Sequence, residues 1–130
     1  MGISVANFAA SRVDASAEGL LNARAFTRCH LQRWHLQDAV DDVVAVVGEL
    51  TANAVRHTAA ATGGAWLALA TSPRTVMCVV RDPSSRVPVR RAAVYPATEG
   101  RGLNVIAGLS CVWGWSVEDD GKAVWARVPI

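Results

Sequence analysis

Between Asp41 and Thr58 apolar residues return every three or four positions, and this rhythm constrains the chain more than any other feature. At 100° per residue, Val43, Val47, Leu50 and Ala54 fall in one narrow stripe, which predicts a helix with one face on a core. Glu49, Asn53 and His57 lie just to one side of that stripe, each four residues from the next. Successive members rise about 6 Å along the axis, so the trio lines the edge of the buried face. An amide oxygen there can ligate a hard cation such as Mg²⁺, and a carboxylate beside it can accept a proton or a metal-bound water. A solvated helix shoulder with His57 as a satisfied half-core residue accounts for the same pattern.

The rest of the chain supplies elements for this helix to pack on. Asp14 or Ser16 can cap an earlier helix, with Glu18 in its first turn and Leu20, Leu21, Ala25 and Leu31 keeping a helical rhythm to about Trp34. His35 to Gln37 form a short break, and Asp38 is the cap candidate for the second helix, with Asp41 and Asp42 in its first turn. After Thr62-Gly63-Gly64, AWLALA and TVMCVVRD read as strands separated by Ser72-Pro73, and should pair as a hairpin. PSSRVPVRRAAVYPATEGRG is a long loop by composition, and loops of such length in compact domains are usually functional or disordered. GLNVIAGLS reads as a short helix, then VWGWSVED and KAVWARVPI as strands joined at Asp120-Gly121. This order predicts an antiparallel or mixed sheet with helices on one face.

At 130 residues the chain has room for one domain and one core, burying roughly two-thirds of its unfolded surface. It is 52% hydrophobic and 18% charged, far from the composition of disordered chains. A net charge of +2 is too small an excess to argue for nucleic acid or an anionic membrane. Cys29, Cys78 and Cys111 match neither a metal knuckle nor a disulfide framework and read as small core residues of a reducing cytoplasm. The N-terminus lacks a signal-peptide pattern, and no run approaches the roughly 18 to 20 apolar residues that span a bilayer. The expected location is the cytoplasm. Trp66, Trp113, Trp115 and Trp125 fall on the expected strands and are read as packing residues, and Trp34 as core or partner surface. Lys122 is the only lysine, and no Gly-Lys-Ser/Thr follows any glycine, which excludes a P-loop.

Two further signals bear on chemistry. In Glu99-Gly100-Arg101-Gly102-Leu103, glycines just before a helix let backbone N–H groups approach an anion, where the helix dipole adds positive charge. Asp82 ends an otherwise apolar strand. A carboxylate there can accept hydrogen bonds from the exocyclic amine of a base, or equally cap a turn.

Taken together and in this order, these segments resemble the GHKL superfamily, whose histidine-kinase-like ATP-binding domain has the Bergerat fold, and within it the serine-kinase anti-sigma factors of bacteria. GELTANAVRHT is similar to that family's N box, VVRDPSSRVP stands in the place of its first glycine box, GRGLNVI resembles the second, and VWGW with DGKAVWARVPI its closing hairpin. The resemblance runs from about Leu20 to Val128. It implies an α+β two-layer sandwich with a mixed, mostly antiparallel sheet, forming a single ATP-binding domain over residues 1–130 with a lid at about 83–99.

By resemblance, Asn53 ligates the Mg²⁺ that bridges the phosphates of ATP, and Glu49 is the general base toward an incoming serine hydroxyl. His57 lines the nucleotide pocket, and Asp82 binds the adenine amino group, usually with an ordered water. Gly100 and Gly102 give backbone access to the phosphates, Arg101 meets the terminal phosphate, and Leu103 belongs to the same cofactor-binding segment. The partners implied are a sigma factor and an anti-anti-sigma protein of the STAS type, with neither nucleic acid nor membrane, and a homodimer is the assembly common in that branch. Pro83, Ser84 and Ser85 depart from the glycine-rich pattern that usually follows the aspartate. Proline has no N–H and a fixed φ, and Ser84 carries a Cβ where glycine allows close approach. The departure favours a second expectation, a catalytically inactive module of the same fold that sequesters a partner. Arg81, Arg86, Arg90 and Arg91 around the lid suit a phosphate, an acidic partner or solvent. The catalytic domain of a two-component histidine kinase is disfavoured, because no dimerisation hairpin with an acceptor histidine precedes the domain.

Overall fold

A computed structural model describes residues 6–57, 64–83, 101–118 and 121–130, with only the backbone described for His57, Arg101 and Gly102. Its elements are β1 (Asn7–Val13), α1 (Ala17–Arg33), α2 (Val40–His57), β2 (Ala65–Thr71), β3 (Thr75–Asp82), α3 (Arg101–Leu109), β4 (Val112–Glu118) and β5 (Gly121–Pro129). The strands form one sheet in the order β1-β2-β3-β5-β4, and every neighbouring pair is antiparallel. α2 lies across the middle of the sheet on β3, β5 and β2, flanked by α1 and α3. Most of the lid, Gly100 and Asp120 of the last turn fall outside the described residues.

The strands alternate as half-buried strands should. Leu67 and Leu69 of β2, Val76, Cys78 and Val80 of β3, and Val124, Ala126 and Val128 of β5 are buried toward the helices. The α2 stripe closes over them: Val43, Val47, Leu50 and Ala54 are all buried, as the periodicity predicts. Each fully buried Val or Leu contributes about 1.5–3 kcal/mol relative to exposure, so this helix-on-sheet contact dominates the core.

Several local expectations need correction. β1 was not expected, because Asn7–Val13 is poor in large apolar residues and owes its conformation to pairing with β2 along its whole length. Ser16, not Asp14, caps α1 by accepting the Gly19 N–H at 3.0 Å. The buried row of α1 is Gly19, Ala23, Thr27 and Leu31, whereas Leu21 is 63% exposed. The break after α1 is a Schellman turn: His35 takes φ +61, its N–H donates to Gln32 O, and the Leu36 N–H donates to Leu31 O. Asp38 caps nothing, because Gln37–Ala39 form a 3-10 turn that leads straight into α2.

The tryptophans differ in burial. Trp113 packs against the core, but Trp66 is 53% and Trp115 41% exposed. Trp66 points to the sheet face that carries no helix among the described residues, where the Arg12 guanidinium lies 5.8 Å from its ring centre. Trp115 has the inward parity of Trp113 on the same edge strand, and the two ring centres lie 5.9 Å apart. Trp34 packs against the core from the end of α1.

Of the three cysteines only Cys78 is a core residue, since Cys29 and Cys111 are exposed. Cys29 misses the i, i+4 buried row of α1, and Cys111 precedes edge strand β4. Burial pushes the Cys78 thiol from 9.0 up to about 12, because a thiolate is poorly solvated among apolar side chains. Native protein is therefore expected to alkylate quickly at Cys29 and Cys111, and at Cys78 only on unfolding. Above pH 9 the unfolded chain loses the Cys78 proton while the folded chain keeps it, so this thiol lowers stability progressively from pH 9 to about pH 12. Mass spectrometry of timed alkylation, with denaturation midpoints across that range, checks both outcomes.

Candidate functional site

The polar edge of α2 is where the periodicity puts it. Glu49 and Asn53 are half-buried beside the stripe, flanked by the fully enclosed Leu50 and Ala54. Neither side chain makes a hydrogen bond or ion pair among the described residues. Buried polar groups normally find partners within the fold. A half-buried carboxylate and amide one turn apart, with no such partner among the described residues, are groups that can accept from or ligate a ligand. His57 is the last residue of α2.

The second part of the site is at one end of the sheet. The helix-facing row Val76, Cys78 and Val80 of β3 ends on Asp82, and the corresponding row of β5 begins on Lys122. Asp82 and Lys122 are direct cross-strand partners, so their side chains leave the sheet on the same side. The Lys122 ammonium meets both carboxylate oxygens, donating to Oδ1 at 3.2 Å and lying 3.1 Å from Oδ2, with both side chains 0% exposed. Asp82 is thus the negative half of a buried ion pair rather than a turn cap. Gly121 makes the close strand approach workable. Its φ is +150, and a Cβ there would stand 2.0 Å from the Asp82 carbonyl oxygen, so only glycine fits.

Lys122 is the buried partner of Asp82 that motif reading missed. Its signal was available in strand parity: Lys122 shares alternation with Val124, Ala126 and Val128, all of which face the core. An only lysine on the inward face of a strand demands an anionic partner, because a lone buried ammonium is costly.

The third part is the start of α3. Arg101 and Gly102 open that helix, and the first N–H groups of a helix have no partner within it and suit an anion. Leu103 is buried and packs in the core, and α3 docks on α2. Arg81 does not belong with this group. It has the parity opposite to Asp82 and pairs with Glu118 of β4 across β5 on the outer face of the sheet at 2.8 Å, an exposed contact worth about 0–1 kcal/mol. Gly100, Arg86, Arg90 and Arg91 lie outside the described residues.

Among the described residues no three His, Cys, Asp or Glu side chains gather into a metal site of their own. The same residues include no helix long and apolar enough to cross a membrane.

Comparisons with known proteins bear on this geometry. The profile of the family described as histidine kinase-like ATPase domain matches residues 13–128. Among solved structures, a chain of "The crystal structure of SiaB-SiaC complex from Pseudomonas aeruginosa" is similar with a TM-score of 0.70 at 16% sequence identity, covering 95% of this chain and 89% of its own. That likeness is one of fold. No curated protein sequence matches the chain.

Proposed function

The chain belongs to the histidine kinase-like ATPase family, and on that premise we propose that it is an ATP-binding regulator of the anti-sigma type. In this reading it is a protein serine kinase that phosphorylates an anti-anti-sigma partner of the STAS type and also binds a sigma factor. The observation that carries the reading is the unspent pair on α2, Glu49 and Asn53, half-buried and without a partner among the described residues.

The donor set suits Mg²⁺, which takes one or two protein oxygens and shares the remainder of its shell with water and phosphate. Asn53 would hold the ion through its amide oxygen, and the bound ion would supply positive charge to the polyphosphate. Glu49 takes the proton from the attacking serine hydroxyl. Gly100, Arg101 and Gly102 hold the phosphates at the start of α3, Asp82 accepts from the amine of the base, His57 lines the pocket, and residues 83–99 cover it. The solved neighbour comes from a complex of two named proteins, which supports a role that includes a protein partner.

A second reading keeps the fold without the chemistry: a module that sequesters its partner. It is favoured by Pro83-Ser84-Ser85 after Asp82, where a proline without an N–H replaces a residue that could approach a nucleotide.

Calorimetric titration with ATP, with and without Mg²⁺, separates the two. Magnesium-dependent binding is expected, weakened in Asn53→Ala by about tenfold or more, the equivalent of about 1.4 kcal/mol. Folded protein that binds no ATP at millimolar concentration would sink the kinase reading and leave the sequestering module.

A further inference from the structure

The face of the sheet turned away from α2 is apolar from one edge to the other. Phe8, Ala70, Met77, Arg127 and Val112 are successive cross-strand partners over all five strands, and Arg127 is the only charged member of that row. The neighbouring row, Ala10, Ala68, Val79, Trp125 and Gly114, carries no charge. Phe8, Trp66 and Val112 are exposed, and among the described residues the helices pack on the other face. Contiguous apolar surface of this kind marks a site of interaction. Between β3, β5 and β4 it sinks into a concavity of about 470 Å³ lined by Met77, Val79, Val112, Trp125 and Arg127. Gly114 lets the indole of Trp125 lie flat beside it, because a Cβ there would stand 2.9 Å from Trp125 Cζ2.

We propose that this face is the docking surface for an acidic amphipathic helix of a partner protein, with Arg127 as the residue that recognises its charge. Three arginines, Arg12, Arg81 and Arg127, share the outer parity with one acid, Glu118, and Glu118 already pairs with Arg81. The Arg127 guanidinium lines the apolar concavity and makes no hydrogen bond or ion pair among the described residues. Its planar fork of donors fits a carboxylate. The occupant therefore brings apolar side chains for the concavity and an acid beside them, the pattern of an amphipathic helix with an acidic flank. The two rows lie about 7 Å apart, a band that one helix of about 10 Å diameter covers. A second copy of the chain fits less well, since two such faces would set net positive charge against net positive charge. A nucleic acid fits less well too, because Met77, Val79 and Val112 offer its phosphates no donor. The surface lies on the opposite side of the sheet from Glu49 and Asn53, so it is independent of the nucleotide reading.

The test uses the whole chain and two synthetic helical peptides with the same leucine stripe, one flanked by glutamates and one by lysines. Fluorescence anisotropy of the labelled peptides is expected to show the glutamate peptide binding about 10-fold tighter or more, the worth of a hydrogen bond between charged groups. That preference should collapse in Arg127→Gln, checked for folding by circular dichroism. It should persist in Arg28→Gln, which removes the same charge from the exposed side of α1. Met77→Asp should abolish binding of the glutamate peptide and leave the sedimentation of the protein unchanged. Equal affinity of the unmodified protein for the two peptides, or no binding of either at millimolar concentration, overturns the proposal even if a variant fails to fold. So does a preference that survives in a folded Arg127→Gln. A dimer that Met77→Asp dissociates would give the face to a second copy and overturn it as well. Oligothymidylate that binds tighter than the glutamate peptide, and is lost in Arg127→Gln, would overturn it in favour of a nucleic acid.

Discussion

Glu49→Gln is expected to slow phosphate transfer from ATP to a serine of a STAS-type partner by about 10²–10⁴-fold, the usual worth of a positioned general base. ATP affinity should be unchanged, because a proton acceptor acts in the transition state and not on the bound ground state. Folding stability should move by no more than about 0.5 kcal/mol, since Glu49 makes no hydrogen bond or ion pair among the described residues. That combination separates chemistry from damage to the fold. Single-turnover transfer of labelled phosphate, with urea unfolding of the same samples, gives the result. Equal transfer rates in the two proteins would remove Glu49 from the mechanism and leave its position on α2 as a solvated shoulder.

The largest effect on stability is expected at the other end of the site. Asp82→Ala leaves the Lys122 ammonium, 0% exposed, without its counter-charge. Breaking one side of a buried pair costs about 3–5 kcal/mol, a large part of the roughly 5–15 kcal/mol that holds a domain together. Replacing both partners at once, as Asp82→Asn with Lys122→Met, should recover most of that loss, because the desolvation of both charges disappears with them. Chemical denaturation of the two variants and the parent, without nucleotide, measures it. A loss below about 1 kcal/mol in Asp82→Ala would place the pair among exposed ion pairs in its energetics and contradict its burial.

Much of the architecture was legible because it depends on local periodicity. The α2 stripe of Val43, Val47, Leu50 and Ala54 names its own buried face, and the β-branched runs of β3 and β5 announce strands. Glu49 and Asn53 were legible for the same reason, since the angle between stripe and edge is fixed by helix geometry alone. β1 escaped because Asn7–Val13 has little apolar content of its own, and its extended conformation comes from hydrogen bonds to β2, more than fifty residues away in sequence. The strand position of Trp66 suggests packing, because tryptophan is usually buried. Its exposure follows from parity in a sheet whose other face carries the helices among the described residues.

What the sequence determined by itself was a helix with a buried face, a polar pair spaced to share its edge, and strands able to receive it, all consequences of repeat lengths along one segment. Only the tertiary structure decided that Asp82 and Lys122 form a dry ion pair. That contact needs the register of β3 against β5, the close strand approach that Gly121 permits, and enough surrounding packing to exclude water from both charges. Each is a relation between segments forty residues apart, and local periodicity does not encode their distance or dielectric surroundings.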